Sequence, residues 1–413
     1  MRKICSFFLV FFILFLTGCH SKPPVDSGDA SSSTDLPKYP ISENSIVRNL
    51  SSNGEFIQFP SRVAFQMHLT SGQTLNVYYS KVDGKVYVYC YDPLCDHSDE
   101  KCFASQVGHV TIEQTRFING RFYGMDAYNG KIYSFDFDGT DMKLEYESEY
   151  LPGEIPNGVW ESDMMAYGAY LYIVQRADAE GSPHNLRFNI ETKQMEDLTQ
   201  KTGNYVSPQF FYHDEIYAYN DNNEPVKTNL ELTVCEATED FELSAYFSGS
   251  TFIYNVHDEK WNTVGIGSYN VETGERKQIA NEALGIPDGS RAMMMAIDKE
   301  YIYYCSSNRV LAGYRLHPKT GQKIAVYKYD GKIYRAEHDG TNAVCIYNDP
   351  DMDYDINRAT AFDGNTIIIY GNLYRSIAGD TEGLIEEYDS GYYVGTISED
   401  GKIDELKLVE IVA

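Results

Sequence analysis

Four residues whose side chains bind metals or undergo redox chemistry lie within thirteen positions of one another: Cys90, Cys95, His97 and Cys102. Thiolates and imidazoles are the ligands from which proteins build tetrahedral zinc sites. The spacing Cys-x4-Cys-x-His-x4-Cys differs from that of a standard zinc knuckle, and Cys-x-His would place two side chains on one side of a strand. This segment is the most distinctive candidate site in the sequence.

Three kinds of site fit this segment. In the first, three thiolates and one imidazole close a shell around Zn²⁺. In the second, two of the cysteines form a disulfide, as an oxidising exterior permits, and the third thiol pairs elsewhere or stays free. In the third, exposed thiolates form a soft-metal or redox site. The sequence leaves all three alternatives open, and zinc is a possible cofactor rather than an assigned one.

The other candidate positions favour ordinary structural roles. Cys235, Cys305 and Cys345 lie in or beside strand-like apolar runs, so we expect all three to be buried as small hydrophobic side chains.

Four carboxylates alternate along one short stretch of the C-terminal region, at Asp349, Asp351, Asp353 and Asp355. Oxygen-rich loops can bind Ca²⁺. Here Asp349-Pro350 stiffens the backbone, and the glycine and terminal glutamate of a twelve-residue calcium loop are missing. We therefore favour a solvated loop between repeats over a calcium site.

No local catalytic motif is present. The sequence has no Gly-x-Ser-x-Gly elbow, no His-Glu-x-x-His pair and no phosphate-binding loop, and its histidines are scattered. Catalytic residues are unknown at this level, because a site assembled from loops of several repeats would leave no local motif.

A repeated sequence motif predicts the strands and turns that must position the cysteines. A turn dipeptide such as Asn-Gly or Asp-Gly precedes a short strand with a central tyrosine, and such turns typically join the strands of β-hairpins. The closest copies are Asp83-Gly84-Lys85-Val86-Tyr87, Asn119-Gly120-Arg121-Phe122-Tyr123, Asn129-Gly130-Lys131-Ile132-Tyr133 and Asp330-Gly331-Lys332-Ile333-Tyr334. The 35 tyrosines fit this interpretation, because tyrosine favours pleated, half-buried surfaces.

Paired strands recurring every 40 to 50 residues predict an all-β fold, a β-propeller of four-stranded blades. We expect seven blades, with six or eight as alternatives. The stretch 56–69 could supply the strand that closes the ring against the last blade. The leading strands centre near Tyr87, Tyr123, Tyr172, Tyr217, Ile253, Tyr303 and Ile368, with gaps of 36, 49, 45, 36, 50 and 65 residues.

The N-terminus has the features of an export signal. Arg2 and Lys3 precede an apolar run at 7–16 that is too short for a spanning helix. Leu16-Thr17-Gly18-Cys19 follows and resembles the lipobox of bacterial lipoproteins, although Ala or Ser is commoner than threonine at the second position. The resemblance implies cleavage before Cys19 and lipidation of that cysteine, which would anchor the protein to a membrane.

The resulting domain organisation has three parts: a signal peptide at 1–18, a lipidated cysteine and flexible tether at 19–40, and a propeller domain at 41–413. The tether is rich in Ser, Pro and Asp and lacks the apolar content needed to order itself. Removal of the signal changes the formal charge from −27 to −29, because Arg2 and Lys3 leave with it. Such acidity argues against a nucleic-acid partner and against docking on anionic lipid through basic patches.

Two further resemblances point to the cell envelope. The half-units Tyr133-x-x-x-x-Asp138-Gly139-Thr140 and Tyr334-x-x-x-x-Asp339-Gly340-Thr341 resemble propeller repeats of bacterial envelope proteins with a low-density-lipoprotein-receptor-like blade. The cysteine segment, including Pro93, resembles a signature found early in propeller-type lipoproteins of gut clostridia. Both resemblances imply a fold and a location, and neither implies a reaction.

These observations predict a lipid-anchored propeller that faces away from the cytoplasm and binds an extracellular protein, peptide or glycan. One alternative is a propeller enzyme, a lyase or hydrolase of extracellular polymers. Another is metal or redox sensing through the segment from Cys90 to Cys102.

Overall fold

The computed structural model describes the residues 47–48, 62–68, 74–90, 95, 102, 104, 115–136, 141–148, 159–175, 183–238, 246–248, 250–259, 263–287, 289–298, 300–349, 352–354, 361–362, 364–378 and 383–412. The predicted signal peptide and tether, with Cys19, lie outside these ranges. So do His97, Asp351 and Asp355.

Nearly every element is a strand. The strands of the first half are β1 (Val47–Arg48), β2 (Arg62–His68), β3 (Thr74–Ser80), β4 (Lys85–Val88), β5 (Thr115–Ile118), β6 (Arg121–Asp126), β7 (Lys131–Phe135), β8 (Lys143–Glu147), β9 (Trp160–Tyr167), β10 (Tyr170–Gln175), β11 (His184–Asn189), β12 (Gln194–Asp197), β13 (Val206–Tyr212), β14 (Glu215–Asn220), β15 (Pro225–Asn229) and β16 (Cys235–Ala237). One short helix, α1 (Leu198–Thr202), follows β12.

The second half continues in the same way. Its strands are β17 (Tyr246–Ser248), β18 (Thr251–His257), β19 (Thr263–Asn270), β20 (Arg276–Ile279), β21 (Ala292–Ile297), β22 (Tyr301–Ser306), β23 (Arg309–Leu316), β24 (Lys323–Tyr329), β25 (Lys332–Glu337), β26 (Val344–Asn348), β27 (Met352–Tyr354), β28 (Ala361–Phe362), β29 (Thr366–Ser376), β30 (Ile385–Thr396), β31 (Lys407–Leu408) and β32 (Glu410–Val412).

Seven sheets form the blades of a β-propeller, which confirms the predicted fold and blade number. Blade 1 is β2-β3-β4-β32, blade 2 is β5-β6-β7-β8, blade 3 is β9-β10-β11-β12, blade 4 is β13-β14-β15-β16, blade 5 is β17-β18-β19-β20, blade 6 is β21-β22-β25-β26 and blade 7 is β27-β29-β30-β31. Blade 4 also pairs with β1, and β28 pairs with β29 beside β27.

The blades pack face to face, which explains the tyrosine content. The ring of Phe210 in blade 4 stacks on that of Tyr217, and its centroid lies 4.3 Å from that of Phe252 in blade 5. All three side chains are buried. Aromatic side chains therefore fill the wedge between neighbouring sheets, where large flat groups bury the most surface.

The turn residues have the expected conformations. Asn119 and Gly120, between β5 and β6, both have positive φ angles, of 51° and 80°. Two-residue hairpin turns require positive φ at both central positions, which asparagine and glycine tolerate best.

The first repeat was assigned wrongly from the sequence. Tyr123, Tyr172 and Tyr217 lie in the second strands of their blades, but Tyr87 lies in β4, the third strand of the blade 1 sheet. The turn Asp83-Gly84 therefore joins β3 to β4. The motif predicts a hairpin turn followed by a strand with a tyrosine. Because such a turn and strand occur at more than one position in a blade, the motif does not identify which strand of the blade it forms.

Ring closure also differs from the expectation. Within the stretch 56–69, the described strand β2 pairs with β3 in blade 1. The closing strand comes from the other terminus: β32 follows β31 of blade 7 after one residue and pairs parallel with β4, with Val412 opposite Tyr87. The C-terminus therefore joins the last blade to the first.

The gap of 65 residues between the last two repeats has a structural cause. Blade 6 carries an inserted hairpin, β23-β24, between its second strand β22 and its third strand β25. Blade 7 is also extended at this position, because β29 and β30 have 11 and 12 residues.

The strand directions define two ends of the ring. Strand β31 is antiparallel to β30, so it runs toward the turn between β29 and β30. Strand β32 continues in the direction of β31, and β4 is parallel to β32, so β4 ends on the side of that turn. We call this side the hairpin end. Arg62, the first residue of β2, pairs with Ser80 at the opposite end, where Lys81 donates to Asn365 over 3.1 Å.

Within the described residues, no helix is long and apolar enough to cross a membrane.

An ion network joins blades 3 and 4. Arg187 of β11 donates to Glu196 of β12 over 2.7 Å and to Glu231, between β15 and β16, over 2.6 Å. Its guanidinium also lies 4.7 Å from the ring centroid of Tyr170. Hydrogen bonds from Arg187 hold the pKa of Glu231 below its usual range. A buried arginine with two carboxylate partners is a costly group to leave unpaired.

We expect Glu231→Gln to lower the free energy of unfolding by about 1 kcal/mol at pH 7, measured by urea denaturation. Because the folded pKa lies below the unfolded value of about 4.3, the stabilisation is present above that pH and is lost as the pH falls through the folded pKa. The difference between the two proteins should therefore shrink below about pH 4. Glu236→Gln, at an exposed carboxylate 3.9 Å from Lys227, is the matched control. A difference that does not change with pH would contradict the assignment.

Truncation after Val409 tests ring closure. Removal of β32 leaves β4 as an open edge and deletes its parallel hydrogen bonds, so we expect the free energy of unfolding to fall by about 2 kcal/mol or more, with increased aggregation. A chain lacking only Ala413 is the control. Equal urea midpoints for the two truncated chains would show that β32 does not close the ring.

Candidate metal centre

Three of the four predicted ligands come together at the hairpin end of blade 1. The Sγ atoms of Cys90, Cys95 and Cys102 all lie within 4.8 Å of one another. Cys90 follows directly after β4 and Tyr89, and the other two belong to the connection that leads to blade 2. His97 lies outside the described residues, so the fourth predicted ligand stays a prediction.

The connection is tied to the sheet at both of its ends through one residue of β3. The backbone N–H of Tyr89 donates to the carbonyl of Asn76 over 3.1 Å, and the N–H of Asn76 donates to the carbonyl of Ala104 over 3.4 Å. Asn76 is buried. These bonds bring the two ends of the segment 90–103 to the same point, which accounts for the convergence of cysteines twelve positions apart.

Aromatic side chains support this end of the sheet. The ring of Tyr78 stacks on Tyr87 with centroids 5.6 Å apart, and it meets Tyr89 edge-on at 5.1 Å. The guanidinium of Arg62 lies 4.6 Å from the Tyr78 centroid. Because these rings are buried, the residue that precedes Cys90 has a fixed position.

The electrostatics of the cluster favour protonated thiols in the absence of a cation. Burial, together with hydrogen bonds to Cys95 and Cys90, raises the pKa of Cys102 to about 12. The backbone N–H of Ala104 acts in the opposite direction, because it donates to the Cys102 sulfur and favours the thiolate. Three neighbouring thiolates repel one another, so full ionisation requires a positive charge among them.

A metal ion would provide that charge. With Zn–S bonds of about 2.3 Å, sulfur atoms in a tetrahedral shell lie roughly 3.8 Å apart. The observed upper limit of 4.8 Å is compatible with such a shell after a small contraction. The cluster can therefore supply three ligands to a metal. The alternative of a disulfide within the cluster stays open.

The remaining cysteines divide into two groups. Cys305 in β22 is buried, as predicted. Cys235 and Cys345 are exposed, so the prediction of burial was wrong for them. Both lie in outermost strands, β16 and β26, where one face of the strand contacts solvent.

The acidic stretch of the calcium hypothesis does not form a single loop. Asp349 follows β26, and its carboxylate accepts a hydrogen bond from Tyr347 over 3.3 Å. Asp353 lies in β27, opposite Asn372 in β29. Two of the four positions thus lie beside or within strands of different blades, and Asp351 and Asp355 lie outside the described residues.

One surface feature was missed by the sequence reasoning. The inserted hairpin, residues 309–329, contains five basic residues and no acidic one, in a chain with a net charge of −27. This local reversal of charge, together with the gap of 65 residues, was the available signal. Five of the 13 exposed large hydrophobic residues of the described structure lie on it, namely Val310, Leu311, Leu316, Ile324 and Tyr327.

The similarities found to known proteins are similarities of structure. No protein-family model and no curated protein matches this sequence. Among solved structures, an oligogalacturonate lyase from Vibrio parahaemolyticus is 12% identical, with 86% of this chain and 92% of that chain covered and a TM-score of 0.43. The β-propeller domain of the trilobed protease from Pyrococcus furiosus is 11% identical, with 85% and 97% covered and a TM-score of 0.42.

Proposed function

We propose that this protein is a lipid-anchored, extracytoplasmic binding module that presents a seven-bladed propeller to a protein, peptide or glycan. The anchor would be lipid on Cys19, in the tetrapeptide Leu16-Thr17-Gly18-Cys19, and the tether would be residues 20–40. Several acyl chains give stable membrane anchoring, whereas a single chain gives only marginal binding.

The observation that carries the binding role is the inserted hairpin β23-β24. The seven blades and the closing strand β32 complete the ring without it. The hairpin exposes apolar side chains to solvent, including Leu316 at 53% and Tyr327 at 52%. Exposed apolar groups concentrated on one element are typical of interaction surfaces, because they gain stability when a partner covers them.

Cys19→Ser tests the anchor. We expect the wild-type chain to fractionate with membranes and the variant to be released into the soluble fraction, because a single cysteine would carry the lipid. Cys235→Ser, at an exposed cysteine of the propeller, is the control. Membrane association that survives Cys19→Ser would refute the anchor.

Arrays test the binding role. The chain from residue 20 onward, which keeps every described strand, is applied to arrayed glycans and peptides. Retention of specific members supports a binding module. Cleavage of an arrayed polymer would instead favour the alternative of a lyase or hydrolase, and the absence of both signals would contradict the proposal.

A second proposal concerns the cysteine cluster: Cys90, Cys95 and Cys102 bind a structural Zn²⁺, with His97 as the predicted fourth ligand. The mutual proximity of the three Sγ atoms supports it. A bound metal would fix the connection between blades 1 and 2 and would replace the protons that burial holds on the thiols.

We expect about one zinc per chain by elemental analysis and a fall in thermal stability on chelation. Cys102→Ser should lose the metal, whereas Cys235→Ser should retain it. A metal-free protein with two of the three cluster thiols missing from a thiol count would establish the disulfide instead. A metal-free protein with all three thiols reactive would support the alternative of a redox or sensing site.

A further inference from the structure

The outer face of the inserted hairpin has a distinct composition. Residues opposite each other in a hairpin share a face, and the register places Leu311 opposite Tyr327 and Leu316 opposite Lys323. Arg309 pairs with Tyr329 on the same face. We call the set Arg309, Leu311, Tyr314, Leu316, Lys323, Tyr327 and Tyr329 the hairpin face.

Part of the other face contacts blade 7 at Gly313, whereas Val310 and Ile324 on the same face are exposed. Gly313 packs so closely there that an added Cβ would lie 2.5 Å from Ile385 and 2.8 Å from the carbonyl of Gly383. The backbone N–H of Tyr314 donates to the same carbonyl over 2.9 Å. Arg315 lies over the ring of Tyr374 at 5.4 Å. The hairpin is therefore fixed to the body of the protein, and a partner would meet a preorganised surface.

The basic groups of the hairpin face are held among its aromatic side chains. The guanidinium of Arg309 lies 5.4 Å from the Tyr329 centroid and donates to the carbonyl of Tyr327 over 3.1 Å. The ammonium of Lys323 lies 5.7 Å from the Tyr314 centroid. Leu311 and Leu316 are exposed beside them, at 48% and 53%. The hairpin face thus has one positive group near each end, at Arg309 and Lys323, with exposed apolar side chains beside and between them.

The charge of this strip is opposite to that of the rest of the chain. The hairpin contributes +5 to a total of −27, so the other residues sum to −32. Four of the five basic residues of the hairpin are exposed, namely Arg309, Arg315, Lys319 and Lys323, and Arg309 and Lys323 lie on the hairpin face.

We infer that the hairpin face binds an acidic peptide segment of a partner protein, one that carries both carboxylates and apolar side chains. This inference rests on the proposed binding function and names its site and partner class. Aliphatic leucines favour a peptide over a glycan, since sugars are bound mainly through aromatic stacking and polar groups.

A direct test uses the chain from residue 20 onward and a fluorescent synthetic peptide of about twelve residues that alternates Glu and Leu. We expect measurable binding by fluorescence anisotropy that weakens as salt is raised, because exposed charges are screened. A Lys-Leu peptide and a Glu-Ser peptide should bind at least tenfold more weakly. Similar affinity for all three peptides would overturn the inference.

Variants locate the site. Leu311→Ser with Tyr327→Ser, and separately Lys323→Glu, should weaken binding of the Glu-Leu peptide at least tenfold. Because these side chains are exposed, the variants should keep the wild-type unfolding midpoint. Leu144→Ser and Lys277→Glu, at exposed positions in blades 2 and 5, are the matched controls and should bind like the wild type.

Binding of a membrane surface or of a second copy of the chain at the hairpin face would give different results in these experiments. Hairpin-dependent capture by vesicles containing anionic lipid, without peptide binding, would identify a membrane surface and overturn the inference. Concentration-dependent self-association that the hairpin variants abolish would identify a second copy of the chain and would also overturn it. Array binding that the hairpin variants leave unchanged would refute this site while leaving the proposed binding function intact.

Discussion

Each blade of the ring buries both faces of its sheet, and the other features of the structure follow from that requirement. A sheet with one covered face can leave polar side chains on the other, but a blade has a neighbouring blade on each side. The second strands are accordingly buried along almost their whole length, as in β10, where Leu171, Tyr172, Ile173 and Val174 are all inaccessible. Tyrosine serves such positions because its ring fills the wedge between blades while its hydroxyl can reach a polar partner.

The same requirement explains how the ring closes. Blades 7 and 1 meet through an apolar cluster that includes Phe65, Ile368 and Tyr392. The strand β32 then extends from blade 7 across to β4 of blade 1. Sequence-distant termini are thereby joined, and the protein acquires two unlike ends. Strand β2 begins with Arg62 at one end. The other carries the cysteine cluster and the two long hairpins of blades 6 and 7.

The candidate sites differ in how far the sequence revealed them. Three thiols within thirteen residues are a local signal that the sequence shows directly. What the sequence lacked was the anchoring residue: Asn76 of β3 bonds to both ends of the connection, and its role depends on a strand pairing that no local pattern specifies. The exposure of Cys235 and Cys345 was missed for a related reason, because strand position within a blade decides exposure and the local run of residues does not.

The sequence by itself determined the all-β propeller class and favoured seven blades over six or eight, because hairpin turns such as Asn119-Gly120 act through backbone conformation at two adjacent residues. It also identified Cys90, Cys95 and Cys102 as members of one candidate site. Only the tertiary structure decided which terminus closes the ring, which strand of a blade each motif occupies, and that residues 309–329 form a hairpin fixed against blade 7. Those outcomes depend on contacts between residues far apart in the chain, such as Gly313 against Ile385, and long-range packing leaves no periodic trace in the local sequence.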